Sequence, residues 1–341
     1  MMKKLYLSLL WHQHQPYYKN DSDGRFYMPW VYLHALKDYY EMAAHVEKSG
    51  VKAVFNYVPS LLIQLKEYTD FNAADNFLIL MRKQTSSLTQ EERQLVLNQC
   101  CMANFNTMIK PIKRFYELHQ KIVASNGNAA DFSDAEILDL EVVYILSWCG
   151  EYLRQEDTHI KYLLSKGSSF TEEDKIELLK HAADWVSKIV EIHKRLQVNN
   201  QAEISCTPFY HPILPLLIDI NSAKEVCPDM NMPAFEGSLE DDASWHVREG
   251  LNEFESHFGF RPKGMWPAEG SVSQKAAEIF ADNGISWIAT DEEVLGNSLQ
   301  INMKDGANRH RLYQKHFQIH NGNKINIFFR DKIINGIIFI P

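Results

Sequence analysis

Leu5-Tyr6-Leu7-Ser8-Leu9-Leu10-Trp11-His12-Gln13-His14-Gln15-Pro16 starts as an apolar run and ends in polar, ring-bearing residues. Lys3 and Lys4 ahead of it imitate a signal peptide. The run is short, however, and no small-residue cleavage site follows. A buried first strand that delivers functional side chains at its C-terminal end fits the pattern better. Residues two apart on a strand share a face, so His12 and His14 should look the same way. Pro16 then stops the strand. Two such imidazoles can ligate a metal, hydrogen-bond sugar hydroxyls, or simply pack. A zinc site needs a third ligand, and no His-x-Asp or Cys-x-x-Cys partner stands out.

The same design recurs along the chain. Apolar runs suited to strands occur at 53–58, 202–206, 264–266, 286–290 and 325–329, each followed at once by polar or aromatic residues. Between them lie helical patterns. Residues 36–48 carry apolar side chains at helical spacing, and Pro59 opens another helix with Leu61, Leu62 and Leu65 on one side. Thr89-Gln90-Glu91-Glu92 and Ser133-Asp134-Ala135-Glu136 are capping boxes, and Thr171-Glu172-Glu173-Asp174 is a third with Asp in place of Glu. Strand and helix alternate at both ends of the chain, which implies a parallel sheet. The stretch of about 72–199 reads as wholly helical and is expected to be an insertion.

Composition sets limits. The 341 residues are 45% hydrophobic and 23% charged, which suits one large core or two modest ones. The net charge of −9 argues against nucleic acid as a partner. No apolar run reaches membrane-spanning length. The five cysteines, with Cys100 and Cys101 adjacent, show neither a disulfide framework nor metal spacing, so reduced thiols in a cytoplasm are expected.

Further segments offer chemistry. In Glu203-Ile204-Ser205-Cys206-Thr207-Pro208-Phe209-Tyr210-His211-Pro212-Ile213-Leu214-Pro215, three prolines in eight residues force a stiff loop that presents His211. A capped structural histidine is the plainer reading. In Gly264-Met265-Trp266-Pro267-Ala268-Glu269-Gly270-Ser271, a short strand runs into a turn bearing Glu269 beside Trp266. This is either a solvated loop acid or a carboxylate next to a sugar-stacking face. Ile325-Asn326-Ile327-Phe328-Phe329-Arg330-Asp331 ends a strand in Arg-Asp, and Asp331 could be a second carboxylate facing Glu269. Two carboxyls across one cleft are what glycoside hydrolysis requires. Trp287-Ile288-Ala289-Thr290-Asp291-Glu292 again places acids directly after a strand. Functional side chains at strand C-termini are the layout of barrel and doubly wound enzymes.

Taken together, these segments resemble glycoside hydrolase family 57, retaining enzymes of the α-amylase and amylopullulanase type. The resemblance runs from His12-Gln13-His14-Gln15-Pro16 to Phe329-Arg330-Asp331. It is supported by Leu33-His34-Ala35-Leu36-Lys37-Asp38-Tyr39-Tyr40 and Phe55-Asn56-Tyr57-Val58-Pro59-Ser60-Leu61. It implies an α/β fold, an incomplete (β/α)7 barrel spanning 1–341 with a large helical insertion at about 72–199. By the same resemblance Glu269 is the nucleophile and Asp331 the general acid/base. His12, His14 and His211 would hold the attacked sugar, Trp266 would form a stacking wall, and Asp291 and Glu203 would complete the polar lining. No metal and no cofactor are expected. The implied partner is an α-glucan or maltooligosaccharide, with no nucleic acid and no membrane.

The sequence departs from the family at Ile334-Asn335-Gly336, where Leu-Ser-Asp is usual. Asn200 stands in place of a common Gly. A fifth motif, carried in the family by a C-terminal helical domain, is not found. The run 333–340 is expected to be a sticky, β-prone segment that weakens activity and favours self-association. A 4-α-glucanotransferase or branching enzyme uses the same carboxylate pair, and a catalytically weak or silent glucan-binding remnant is the reading from another class.

Overall fold

The computed structural model describes residues 6–235 and 237–333. The chain divides into two units, one from Met1–Pro16, Lys52–Leu62 and Ala202–Pro341, the other from Tyr17–Val51 and Ile63–Gln201.

The first unit holds seven strands: β1 (Leu10–Gln13), β2 (Ala53–Tyr57), β3 (Ala202–Cys206), β4 (Gly264–Met265), β5 (Trp287–Asp291), β6 (His316–His320) and β7 (Asn323–Arg330). They form one sheet in the order β1-β2-β3-β4-β5-β7-β6. Every pairing is parallel except the β6–β7 hairpin. Helices Glu240–Phe258, Gln274–Asp282 and Glu292–Leu299 follow β3, β4 and β5 in turn. β1 and β6 are the sheet's two edges among the described residues, so it is open, as an incomplete barrel is. The register aligns Gln13, Tyr57, Cys206, Met265 and Ile288 in one row across five strands. That row brings the C-terminal ends of β1 to β4 to one edge of the sheet.

Two differences from the sequence reading have physical causes. Among the described residues β1 starts at Leu10, later than the apolar run, because its neighbour there offers partners from Val54 onward. Tyr6 and Leu7 are accordingly exposed. β6 escaped notice because its apolar residues, Phe317 and Ile319, face solvent. Its signal was the turn Asn321-Gly322, both with positive φ, the geometry of a tight hairpin. The run 334–340 lies outside the described residues.

Gly264 opens β4 under the Trp287 indole, where a Cβ would sit 1.9 Å from the ring. The same indole donates to Glu203 Oε1 at 2.6 Å. Only a glycine lets this ring lie flat across the start of the strand.

The second unit is helical. The three capping boxes at Thr89, Ser133 and Thr171 all form, each with its reciprocal pair of hydrogen bonds. Helix Asp134–Trp148 is buried continuously from Ile137 to Trp148, the acidic Asp139 and Glu141 included. The unit also takes in Tyr17–Val51, where Ala35–Tyr39 winds as a π-helix. Among the described residues no helix is long and apolar enough to cross a membrane.

At its centre Lys175, fully buried, lies 2.9 Å from both Glu141 and Glu172 and donates to the Lys83 carbonyl. Burial pushes the Glu141 carboxyl up to about 7 against the pull of Lys175. Removing the cation alone would strand a buried carboxylate. Lys175→Met is expected to cost about 3–5 kcal/mol in urea unfolding, and the double change with Glu141→Gln to recover part of that loss. A Lys175→Met chain as stable as the parent would contradict this account.

Candidate active site

His12 sits on β1 with its ring aimed across the sheet edge. Its Nδ1 lies 2.6 Å from Asn56 Oδ1 on β2. Asn56 is fully buried and cannot flip, because its Nδ2 donates to the Cys206 carbonyl at 2.6 Å and to Ser205 Oγ. Its oxygen therefore faces His12 and also accepts from Thr207 Oγ1 at 2.7 Å. It follows that Nδ1 of His12 carries the proton and Nε2 carries the lone pair. That Nε2 is 3.0 Å from Nε2 of His211, which must then be the donor.

His211 reaches this place on the stiff loop after β3. The loop is pinned to helix Glu240–Phe258 by the Phe209 N–H donating to the His246 carbonyl. Gly250 permits the approach, since a Cβ there would lie 3.1 Å from the Thr207 oxygen. His211 itself has φ 58°, in the left-handed region. His14 stacks on it with ring centroids 4.2 Å apart, and His12 lies 4.9 Å from it. His12 and His14, two residues apart, are themselves 5.5 Å apart by ring centroids.

Glu269 stands on a turn after β4, with φ 55°. Gly270 follows, also at positive φ, and the Ser271 N–H closes the turn on the Ala268 carbonyl. The Thr290 hydroxyl of β5 holds the Gly270 carbonyl from below. Among the described residues, the non-glycine residues at positive φ are Asn126, Ser169, Asn200, His211, Glu269, Gln300 and Asn321. Asn tolerates that region, while His and Glu are held there at a cost of order 1–3 kcal/mol. The strain brings the Glu269 carboxylate within 3.8 Å of His211 Nδ1 while leaving its side chain 69% exposed. Trp266 lies beside them, its ring centroid 6.2 Å from that of His12.

Asp331 follows β7 in a different set of partners. Its carboxylate meets the Arg309 guanidinium at 2.6 Å and accepts from Tyr313 Oη at 2.6 Å and from the Ile333 N–H. The carboxylate raises both the guanidinium and the phenol above their ordinary values. Asp291, at the end of β5, pairs with Arg330 at 2.7 Å. Glu203 is placed elsewhere. It is in register with Val54, three residues below the row at Cys206 and so about 10 Å from the strand end. Its bond to Trp287 braces the opposite end of the sheet, so the polar lining expected of it falls away.

Burial keeps the imidazoles neutral. It lowers His14 to about 4, with help from His12, and His211 to about 3, with help from His14 and His12. Burial lowers His12 too, against the bond to Asn56 and the charge of Glu269. The folded chain then holds fewer protons than the unfolded one, and each of these groups removes stability as pH falls from about 6.5 toward its folded value. In an NMR titration of the imidazole carbons, His14 should stay neutral at pH 5.5, where a free imidazole is mostly charged. A His14 midpoint near 6.5 would contradict the lowering by desolvation.

Asn56 contacts His12, Thr207 contacts Asn56, and Arg309 and Tyr313 contact Asp331; motif reading singled out none of the four. Asn56 had a signal, an amide in the middle of an otherwise apolar strand. Arg309 and Tyr313 had none, since the 3-10 helix Arg309–Tyr313 that carries them is too short to show a periodicity.

The sequence profile described as glycosyl hydrolase family 57 matches residues 8–338. Among solved structures, the chain is similar to an α-amylase from Thermotoga maritima, with 15% identity, 96% of this chain and 46% of that one covered, and a TM-score of 0.46. A GH57-type branching enzyme from Pyrococcus horikoshii gives 16%, 95%, 47% and 0.47. A 4-alpha-glucanotransferase from Thermococcus litoralis gives 12%, 97%, 28% and 0.44. The chain thus spans about half the length of these structures or less. No curated protein sequence matches it.

Proposed function

Because the chain belongs to glycosyl hydrolase family 57, we propose that it cleaves α-glucosidic bonds in α-glucans or maltooligosaccharides with retention of configuration. The observation that carries this reading is the Glu269 turn, a solvent-facing carboxylate held in strained backbone beside neutral imidazoles and an indole. In the proposed first step Glu269 attacks the anomeric carbon, the glycosidic C–O bond breaks, and Asp331 gives its proton to the leaving oxygen. In the second step Asp331 takes a proton from water, and that water displaces Glu269.

Neutral imidazoles suit sugar hydroxyls, because each offers one donor and one acceptor. His211 Nδ1, left with a lone pair by the chain of bonds from Asn56, would accept from a hydroxyl on the sugar that Glu269 attacks. His12 and His14 would line the same subsite, Trp266 its wall, and the Asp291–Arg330 pair its rim. Arg309 and Tyr313 would fix the orientation of Asp331. In this reading residues 72–199 are an insertion between β2 and β3 of the catalytic unit. The five free thiols support a cytoplasmic setting.

The test is incubation with maltooligosaccharides followed by product analysis. Shorter oligosaccharides, released first as the α-anomer, support retaining hydrolysis. Products longer than the substrate would replace hydrolysis by transfer. Release first as the β-anomer would overturn the retaining assignment.

A further inference from the structure

We propose that His12, His14 and His211 form a binding site for one zinc-class divalent cation. Their ligating nitrogens all lie within 4.8 Å of one another. The closest pair, Nε2 of His12 and Nε2 of His211, is 3.0 Å apart. Two nitrogens on one zinc at about 2.1 Å each stand about 3–3.4 Å apart, so this pair is almost spaced for ligation. His14, stacked on His211, brings the third nitrogen by turning its ring. Three imidazoles with no thiolate suit zinc, copper or nickel rather than calcium or magnesium.

The surroundings of the rings argue for the site more strongly than the spacing does. A histidine that holds a metal through one nitrogen nearly always donates its other N–H to a fixed acceptor. For His12 that acceptor is Asn56 Oδ1, already in place at 2.6 Å and locked by the Cys206 carbonyl. For His211 the nearest acceptor is Glu269, whose Oε1 lies 3.8 Å from Nδ1, beyond hydrogen-bond distance, and would have to close in when the ion binds. Without metal, His211 carries its proton on Nε2 and donates it to His12. With metal, both Nε2 lone pairs point at the ion. The proton of His211 leaves Nε2 to solvent and one is taken up at Nδ1, facing the Glu269 carboxylate, so the proton count of the ring is unchanged.

The site departs from the expectation of no metal, and the departure is one of role. An ion held here ties up Glu269 through His211 and fills the space given above to sugar hydroxyls. It is an inhibitor of the proposed reaction, not its cofactor. Only this competition rests on the glucan reading; the binding of the ion does not.

The experiment titrates Zn2+ into the metal-free full chain by calorimetry, and Co2+ by visible absorption. We expect one Zn2+ per chain and the intense visible bands of a tetrahedral nitrogen site with Co2+. The chain has 14 histidines, so variants must locate the ion. His14→Ala and His211→Ala should each weaken binding at least about 100-fold, and Asn56→Leu about 10–100-fold. The Co2+ spectrum of the unaltered chain keeps the test valid if a variant fails to fold. Absent or substoichiometric Zn2+ overturns the proposal, as does stoichiometric binding that none of the folded variants disturbs.

A parallel titration with maltotriose separates the two readings. Maltotriose that binds and raises the apparent Kd for Zn2+ supports both. Zn2+ bound at the histidines with maltotriose neither binding nor competing upholds the metal site and counts against the glucan reading. Maltotriose bound with no Zn2+ site overturns the metal proposal alone.

Discussion

Glu269→Gln is expected to lower kcat on maltooligosaccharides by at least about 10⁴-fold, about 5.5 kcal/mol of lost transition-state stabilisation. The amide keeps the size of the carboxylate and occupies the same left-handed turn, so the fold should survive. What it lacks is the lone-pair strength to form a bond to the anomeric carbon. The side chain is 69% exposed, so its packing contributes little to stability. The urea midpoint should therefore match that of the parent. KM should change far less than kcat, because the imidazoles and Trp266 that hold the sugar are untouched. A variant that keeps a tenth of the parent's kcat would remove Glu269 from the role of nucleophile.

Asp331→Asn should give a loss that depends on the substrate. A sugar leaving group needs a proton as the bond breaks, so kcat/KM on maltooligosaccharides should fall about 10²–10⁴-fold. An activated aryl α-glucoside expels a stable phenolate unaided, so its kcat/KM should stay close to that of the parent. Its kcat should still fall, because the second step has lost its general base, and a burst of phenolate should precede the slow phase. Arg309 and Tyr313 both contact this carboxylate, so the variant also loses an ion pair at 2.6 Å. A comparison with Arg309→Gln separates that loss from the proton transfer. If Asp331→Asn harms both substrates equally, the acid/base assignment fails.

What could be read from the sequence was local in origin. The capping boxes formed at Thr89, Ser133 and Thr171 because their partners are three residues apart. The Glu269 turn was legible for the same reason, with Pro267 before the carboxylate and Gly270 after it fixing a bend whatever the rest of the fold does. His12 and His14 came out on one cluster because strand alternation needs no distant information. The failures are tertiary. The family resemblance gave Glu203 to the polar lining, but sequence does not show which end of β3 a residue lies toward. The tautomer of His12 depends on Asn56, which depends in turn on a carbonyl of β3, 150 residues away. Arg309 and Tyr313 reach Asp331 from opposite ends of a five-residue 3-10 helix, too short for a periodicity to mark them.

The discontinuity of the sheet has a consequence for how the chain is made. β2 ends at Tyr57 and its neighbour β3 begins only at Ala202. A ribosome adding about 5–20 residues per second needs roughly 7–30 s to cross that interval. During the wait the growing chain carries a two-stranded parallel ribbon whose Phe55 and Tyr57 are destined for complete burial. The helices made in the meantime are rich in short-range contacts and can form as they emerge. The sheet must close late, around long loops. A nascent chain arrested before residue 202 should therefore show helix, bind a holdase chaperone through the ribbon, and lose that chaperone once β3 is released.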